Sequence, residues 1–158
     1  MALLMIGIVS VVSATTRMHS LRKFNRERTI AQNTLRSMAE RIHARSYAFS
    51  DEPENWASDL LGVYGPGGTF GDTFESEGIN VALGEASVGT IQIFTDETLT
   101  DGAIGHQLGM PRDLNGDGDN TDFDVTGDAR ILPVLLTLRW RGKQGTVEVQ
   151  HGFYVMGY

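Results

Sequence analysis

The feature that most constrains the fold is an uninterrupted helical stretch at the start of the chain. Residues 2–46 contain no proline and a single glycine, Gly7, and residues that favour helices are frequent. The run Ala2–Ala14 carries no charge and is almost entirely apolar. From Leu21 onward, apolar side chains recur at steps of three and four residues, which is typical of an amphipathic helix. The sequence therefore predicts one helix over residues 2–46, about 65–70 Å long.

The second part of this helix carries one apolar stripe that would face a single packing partner. Arg28 is the polar interruption that we expect within the stripe, and the other charged residues lie away from its centre. The stripe is short and contains Arg28 and Ala31, so it does not favour an ordinary coiled coil. Its apolar members are Leu21, Phe24, Ala31, Leu35, Met38 and Ile42.

Composition leaves three interpretations open for the run Ala2–Ala14. A helix of this length spans about 20 Å, which is less than the roughly 30 Å hydrocarbon core of a bilayer. The run can be a buried core helix. It can also be the core of a signal peptide, because Val12-Ser13-Ala14 resembles a cleavage site, although only Met1 and Ala2 precede the run. The third interpretation is a membrane helix whose first part lies upstream of Met1.

Charge and composition divide the chain into two parts. Residues 1–50 contain eight Lys or Arg and two acidic residues, whereas residues 51–158 contain five and eighteen, so the net charges are +6 and −13. Nucleic-acid binding by the second part is disfavoured because phosphate contacts need clustered Lys and Arg. The nineteen glycines favour turns and strands. The absence of cysteine excludes disulfides, thiolate metal ligands and thiol nucleophiles.

The C-terminal part predicts a β-hairpin whose register follows from its loop. Residues 134–141 and 146–155 alternate between apolar and polar side chains, which is typical of strands with one buried face. A four-residue loop at 142–145 places Arg139 opposite Glu148, and this charge pair supports the register. The predicted pairs on the apolar face are Trp140 with Val147, Leu138 with Val149, Leu136 with His151, and Val134 with Phe153.

Further elements are predicted upstream of the hairpin. Ile79–Leu83 and Val88–Phe94 are predicted as strands on either side of a turn at Gly84. Apolar residues between Trp56 and Tyr64 are expected to pack on the helix stripe. His151 is expected on the apolar face of its strand, as a hydrogen-bonded histidine in the core or at its boundary. The predicted fold class is α+β, with a long N-terminal helix packed on a small antiparallel sheet.

The opening segment, MALLMIGIVSVVSATTRMHSLRKFNRERTIAQNTLRSMAERI, resembles the N-terminal region of type IV pilins and type II secretion pseudopilins. The resemblance implies an apolar half, residues 1–16, that lies in the inner membrane before assembly and in the filament core afterwards. It implies that the amphipathic half, residues 17–50, packs under the sheet of an acidic β domain, residues 51–158. It also implies that the basic leader and early glutamate of such proteins lie upstream of Met1.

The function implied by this resemblance is that of a minor pilin or pseudopilin subunit. Its partners would be other such subunits, bound through the N-terminal helix, and the inner membrane. The β domain would be extracytoplasmic, and no nucleic acid or small-molecule substrate is expected. The sequence contains no phosphate-binding loop, nucleophile elbow or His-Glu-x-x-His motif, so we expect no enzyme. The alternatives are a secreted or membrane-anchored calcium-stabilised binding module outside any filament, and a cytoplasmic scaffold.

One motif points to metal chemistry, the segment DLNGDGDNTDFD at residues 113–124. Its oxygen-bearing side chains have the spacing with which a single loop surrounds a calcium ion, and Gly118 permits the sharp turn. The loop resembles the dockerin type, although Asn120 stands where an aliphatic residue is usual and the loop has no second copy. The expected ligands are Asp113, Asn115, Asp117, the Asp119 carbonyl, Thr121 and Asp124.

The expected role of calcium is structural. Five aspartates within twelve residues repel one another unless a cation neutralises them. We expect weak binding, on the order of 0.1–1 mM, that orders residues 96–130. The other interpretation is a solvated acidic turn that holds no metal.

Overall fold

The fold is built on one long helix, α1, which spans Ala2–Ala48. A computed structural model describes residues 2–48, 55–143 and 145–157, and for residues 2–11 it describes the backbone alone. The helix contains 47 residues, so it is about 70 Å long. The prediction of one helix over residues 2–46 is therefore confirmed, because no proline or glycine after Gly7 interrupts its backbone hydrogen bonds.

The rest of the described chain forms an antiparallel sheet with two shorter helices. The sheet has the order β1-β2-β3-β4, so neighbouring strands follow one another in the chain. Helix α1 packs against β3 and β4, which confirms the predicted α+β class. The elements are α2 (Trp56–Tyr64), β1 (Thr73–Phe74), β2 (Gly89–Ile93), α3 (Asp101–Ile104), β3 (Ile131–Gly142) and β4 (Gly145–Met156).

The hairpin of β3 and β4 has the predicted register along its whole length. Every predicted pair is present, from Trp140 opposite Val147 to Val134 opposite Phe153. Arg139 lies opposite Glu148, and its Nε is 3.0 Å from the Glu148 carboxylate. Alternation of apolar and polar residues therefore determined both the buried face and the pairing of this hairpin.

The apolar stripe of α1 is buried only in its second part. Ala31 and Ile42 are fully buried, and Leu35 is 2% exposed, whereas Leu21 is 63% exposed. Phe24 is 38% exposed, so the first two members of the predicted stripe lie outside the core. The sheet thus covers the helix from about residue 27 to residue 46, and it leaves the preceding part of the stripe in solvent.

The charged residue within the buried face of α1 is Glu27, whereas the sequence analysis placed Arg28 there. Arg28 is exposed, whereas Glu27 is 9% exposed and accepts a hydrogen bond of 3.3 Å from the indole N–H of Trp140. Glu27 precedes Ala31 and Leu35 at steps of four residues, which places all three on one side of the helix. The prediction for Arg28 was therefore wrong by one position.

Two further expectations differ from the structure. The segment Ile79–Leu83 is not a strand, since it contributes only an isolated bridge between Val81 and Trp140. Gly78 and Gly84 have φ angles of +80° and +89°, so the chain turns at both ends of the segment. His151 is exposed, because β4 is an edge strand that α1 covers only in part. Its ring stacks on Phe153 with centroids 5.5 Å apart.

The segment between β2 and β3 is fixed by a few buried residues. Leu114 and Val125 are fully buried, and the carbonyl of Leu114 accepts hydrogen bonds from the backbone N–H groups of Arg130 and Ile131. The indole N–H of Trp56 in α2 donates to the carbonyl of Ala129 at 2.7 Å. The acidic loop therefore lies between two anchoring points of the core, and its position is tied to the start of β3.

Candidate functional site

The first candidate site is the part of α1 that precedes its contact with the hairpin. The tip of the hairpin reaches the helix at Ser20, whose hydroxyl oxygen lies 2.6 Å from the ammonium nitrogen of Lys143. Residues 12–19 are all exposed, including Val12 at 59% and Met18 at 55%. About 28 Å of helix, residues 2–19, therefore extends beyond the hairpin tip. We call this part the protruding segment.

Polar contacts determine which part of α1 the sheet domain covers. Glu27 lies between the Trp140 indole and Lys23, whose ammonium nitrogen is 3.8 Å from its carboxylate. Further along the helix, the hydroxyls of Thr34 and Ser76 lie 2.8 Å apart. A buried carboxylate needs such a partner, because desolvation of an unpaired charge is costly. These contacts therefore define where the covered part of the helix begins.

The protruding segment is rich in apolar residues, but it is short. In the described part of the chain, no helix combines the length and the apolar character that a membrane crossing needs.

The second candidate site is the acidic loop, residues 113–124, whose side chains hold the loop backbone. The carboxylate of Asp113 accepts hydrogen bonds from the backbone N–H groups of Gly116 and Gly118. Asp117 accepts from the N–H of Asp119 at 3.0 Å. Gly118 has a φ angle of +103°, which confirms a sharp turn at this position. Asn115 accepts from the N–H of Asp117 at 3.1 Å, so the loop is a series of short turns closed by aspartate or asparagine side chains.

Two of the loop carboxylates are held ionised by neighbouring threonines. The hydroxyl and backbone N–H of Thr121 donate to Asp119 and lower its pKa below the ordinary value. Thr126 does the same for Asp124, where its hydroxyl is the larger cause of the lowered pKa. Hydrogen bonds favour the charged form of a carboxyl group, so the pKa values of Asp119 and Asp124 lie below the ordinary value of an aspartate.

The side chains of the six predicted ligands make separate hydrogen bonds within and behind the loop. Within the described ranges, no three Asp, Glu or His side chains lie together in a geometry that would hold a metal ion. The Thr121 hydroxyl donates to Asp119, while Asp113, Asp117 and Asp124 close local turns. Asn115 differs from the other five, because it is 7% exposed and points towards the protein.

Asn115 joins residues that the sequence motif did not include as ligands. Its side-chain N–H₂ donates to Asp122 at 3.2 Å and to Asp128 at 3.1 Å. Asp122 is partly buried, and Asp128 lies beyond the predicted loop at its C-terminal side. The amide thus sits between two carboxylates on the inner side of the loop. The motif spacing gives no ligand role to Asp122, which is position 10 of the loop, and Asp128 lies outside residues 113–124.

Glu97 is the functional candidate that sequence reasoning missed entirely. Its side chain is fully buried, and one carboxylate oxygen accepts hydrogen bonds from the backbone N–H groups of Leu114 and Asn115. Its other oxygen, Oε2, is buried without a hydrogen-bond partner among the described residues. The backbone N–H of Glu97 donates to the carbonyl of Asp122 at 2.9 Å. No local pattern marks this residue, since it reaches the loop only through the tertiary fold.

All the side chains that gather here offer oxygen donors, which suits a hard cation such as calcium. The chain matches no protein-family model, no curated protein and no solved structure.

Proposed function

We propose that this protein is a subunit of a type IV pilus or type II secretion filament, of the minor pilin or pseudopilin kind. The observation that carries the proposal is the protruding segment, an apolar half-helix in which every residue with a described side chain, 12–19, is exposed before the hairpin tip reaches Ser20. Burying one Leu, Ile or Val side chain is worth about 1.5–3 kcal/mol. A segment with several such residues therefore favours a membrane or a bundle of similar helices over water.

The proposed mechanism is assembly and involves no chemical reaction. The apolar half, residues 1–16, would lie in the inner membrane before assembly and in the filament core afterwards, so its side chains would pass between two apolar environments. The amphipathic half, residues 17–50, would carry the sheet domain, residues 51–158, on the outer side. The helix residues buried by the filament would be Leu3, Leu4, Ile6, Ile8, Val11 and Val12.

We also propose that the acidic loop binds calcium in a structural role. The loop carries five aspartates within twelve residues, and two of them accept hydrogen bonds from threonine hydroxyls. A bound cation would offset their mutual repulsion and would order residues 96–130, which contain only the four-residue helix α3. Such a site supports a domain that works outside the cytoplasm, where calcium is abundant enough for weak binding.

Cross-linking in native membranes tests the assembly proposal. The chain contains no cysteine, so single substitutions give unambiguous cross-links. We compare Val12→Cys in the protruding segment with Leu83→Cys on the sheet domain, where the side chain is 88% exposed. Assembly through the helix predicts cross-links to other subunits from position 12 and none from position 83, although Leu83 is the more accessible residue.

Two other results would contradict the filament proposal. If neither position forms cross-links and the protein remains a single copy in membranes, the chain is an anchored binding module outside any filament. If Thr15 is found as the mature N-terminus, the apolar run is a removable signal peptide and the filament proposal fails. In both variants the unfolding midpoint of the sheet domain must equal that of the unsubstituted protein, since both positions are exposed.

A further inference from the structure

Oε2 of Glu97 is the one buried side-chain nitrogen or oxygen atom among the described residues that has no hydrogen-bond partner. Its Oε1 accepts two backbone N–H groups, but Oε2 has none, and the residue is fully buried. A carboxylate oxygen that is hidden from water without a hydrogen bond destabilises the folded state. A charged group is retained at such a position when a counterion or ligand completes its surroundings.

The surroundings of this group are oxygen-rich and negatively charged. The hydrogen bonds of Glu97 place its carboxylate at the backbone of Leu114 and Asn115, where the acidic loop begins. Asn115 in turn contacts Asp122 and Asp128, and the backbone of Glu97 is bonded to Asp122. Two carboxylates therefore meet at the side-chain amide of Asn115, and the carboxylate of Glu97 lies at the backbone of the same residue.

We propose that a divalent cation of the size of calcium binds on this inner side, with Glu97, Asn115, Asp122 and Asp128 as its protein ligands. This inference rests on the proposed calcium binding and replaces most of the ligand set expected from the motif. Asp113, Asp117, Asp119 and Asp124 then serve to shape the loop through the turn hydrogen bonds that they already make.

A small side-chain movement would convert the cluster into a cation site. Asn115 now places its N–H₂ between the carboxylates of Asp122 and Asp128, as a neutral substitute for positive charge. The oxygen of this amide now accepts a hydrogen bond of 3.1 Å from the backbone N–H of Asp117. Half a turn of the amide would exchange that bond for contact of the oxygen with an ion shared by the two carboxylates. Mixed carboxylate and amide oxygens at flexible positions, with waters completing six to eight ligands, suit calcium better than magnesium.

A cation bound at this site would also stabilise the sheet. Glu97 holds the N–H of Leu114, and the carbonyl of Leu114 holds the N–H groups of Arg130 and Ile131. Ile131 is the first residue of β3, one of the two strands that pack on α1. A cation bound by Glu97 would therefore stabilise the start of the central hairpin as well as the loop. This connection explains why a surface loop would affect the unfolding of the whole domain.

Calcium titration of the full chain in detergent, by calorimetry and by thermal unfolding, tests the inference. The test variants are Glu97→Gln, Asp122→Asn and Asp128→Asn, and the matched controls are Asp117→Asn and Asp119→Asn in the outer loop. Glu97→Gln keeps an oxygen for the two backbone N–H groups, and the aspartate changes lie at or near the surface. We expect each test variant to bind calcium about tenfold or more weakly. The controls should lose less than about threefold, through lost long-range attraction alone.

Each other result has a definite meaning. If calcium gives no heat and no rise in the unfolding midpoint of the unsubstituted protein, both the calcium proposal and this inference are overturned. If the controls lose affinity and the test variants do not, or if all five variants bind like the unsubstituted protein, this inference is overturned while calcium binding stands. If Glu97→Gln fails to unfold cooperatively, Asp122→Asn and Asp128→Asn decide the question.

Discussion

Two leucines of α1 allow a direct test of where the sheet domain covers the helix. Leu21 and Leu35 are 14 residues apart, close to four helical turns, so they lie on the same side of the helix. Both belong to the stripe read from the sequence, yet Leu21 is 63% exposed and Leu35 is 2% exposed. The same substitution at the two positions therefore compares two environments at nearly constant helix propensity.

We expect Leu35→Ala to destabilise the domain strongly and Leu21→Ala to leave its stability almost unchanged. Removing a buried leucine side chain loses about 2–3 kcal/mol of transfer free energy, and the cavity between fully buried Ala31 and nearly buried Met38 adds to this. The total is about 2–5 kcal/mol, which lowers the unfolding midpoint by roughly 5–20 °C in a chain of this length. The exposed site should change stability by less than about 0.5 kcal/mol.

Tryptophan fluorescence during urea or thermal unfolding measures this difference. The chain has two tryptophans, and both are buried within the sheet domain, Trp56 at 2% and Trp140 at 0% exposure. Their signal therefore reports this domain and not fraying of the protruding segment. Equal destabilisation by the two substitutions would refute the boundary near residue 27. In the cross-linking assay, Leu21→Ala should weaken assembly while the domain remains fully folded.

Three further predictions concern single contacts of the sheet domain. Burial is the main cause that lowers the pKa of His43 below 6.5, and the nearby His151 lowers it further. An NMR titration should therefore give His43 a pKa below 6.5, and the substitution His151→Asn should raise that pKa only part of the way back. Because protonation is disfavoured in the folded state, this histidine reduces stability as pH falls below about 6.5. Hydrogen bonds from backbone N–H groups, with that of Met110 as the largest cause, lower the pKa of Asp101 in the folded protein. Ionised Asp101 therefore stabilises the fold above about pH 4, and this stabilisation is lost as the pH falls through the folded pKa. In thermal unfolding at a series of pH values, Asp101→Asn should remove this acid-dependent loss. Glu27→Ala leaves the indole N–H of Trp140 without its acceptor and should cost about 1–3 kcal/mol in urea unfolding, whereas unchanged stability would show that water replaces the carboxylate.

Removal of residues 1–16 provides a separate test of the division of the chain. The described core of α1 begins near Glu27, so the shortened chain should be a soluble monomer with an unchanged unfolding midpoint. Size-exclusion chromatography and fluorescence melting measure both properties. An unfolded or aggregated product would show that the sheet domain depends on the apolar half of the helix.

The local parts of the fold could be predicted because their information is local. The absence of helix breakers over residues 2–46 was sufficient for α1, and the loop at 142–145 with its flanking alternation was sufficient for the register of β3 and β4. Side-chain periods of 3.6 and 2 residues are properties of neighbouring positions, so they can be read without a structure. The prediction of a strand over Ile79–Leu83 was wrong, because the apolar composition of this segment did not reveal that the chain turns at both Gly78 and Gly84.

Two features depended on the tertiary structure alone. The first is the position at which the sheet stops covering α1, and the second is the set of carboxylates that lie behind the acidic loop. Leu21 and Leu35 are equivalent in the sequence pattern, and only the length and position of the hairpin make one a surface residue and the other a core residue. Glu97 likewise meets Asn115 and Asp128 through the path of the whole segment between β2 and β3. Periodicity determines which side of an element is apolar, whereas burial depends on what the rest of the chain brings against that side.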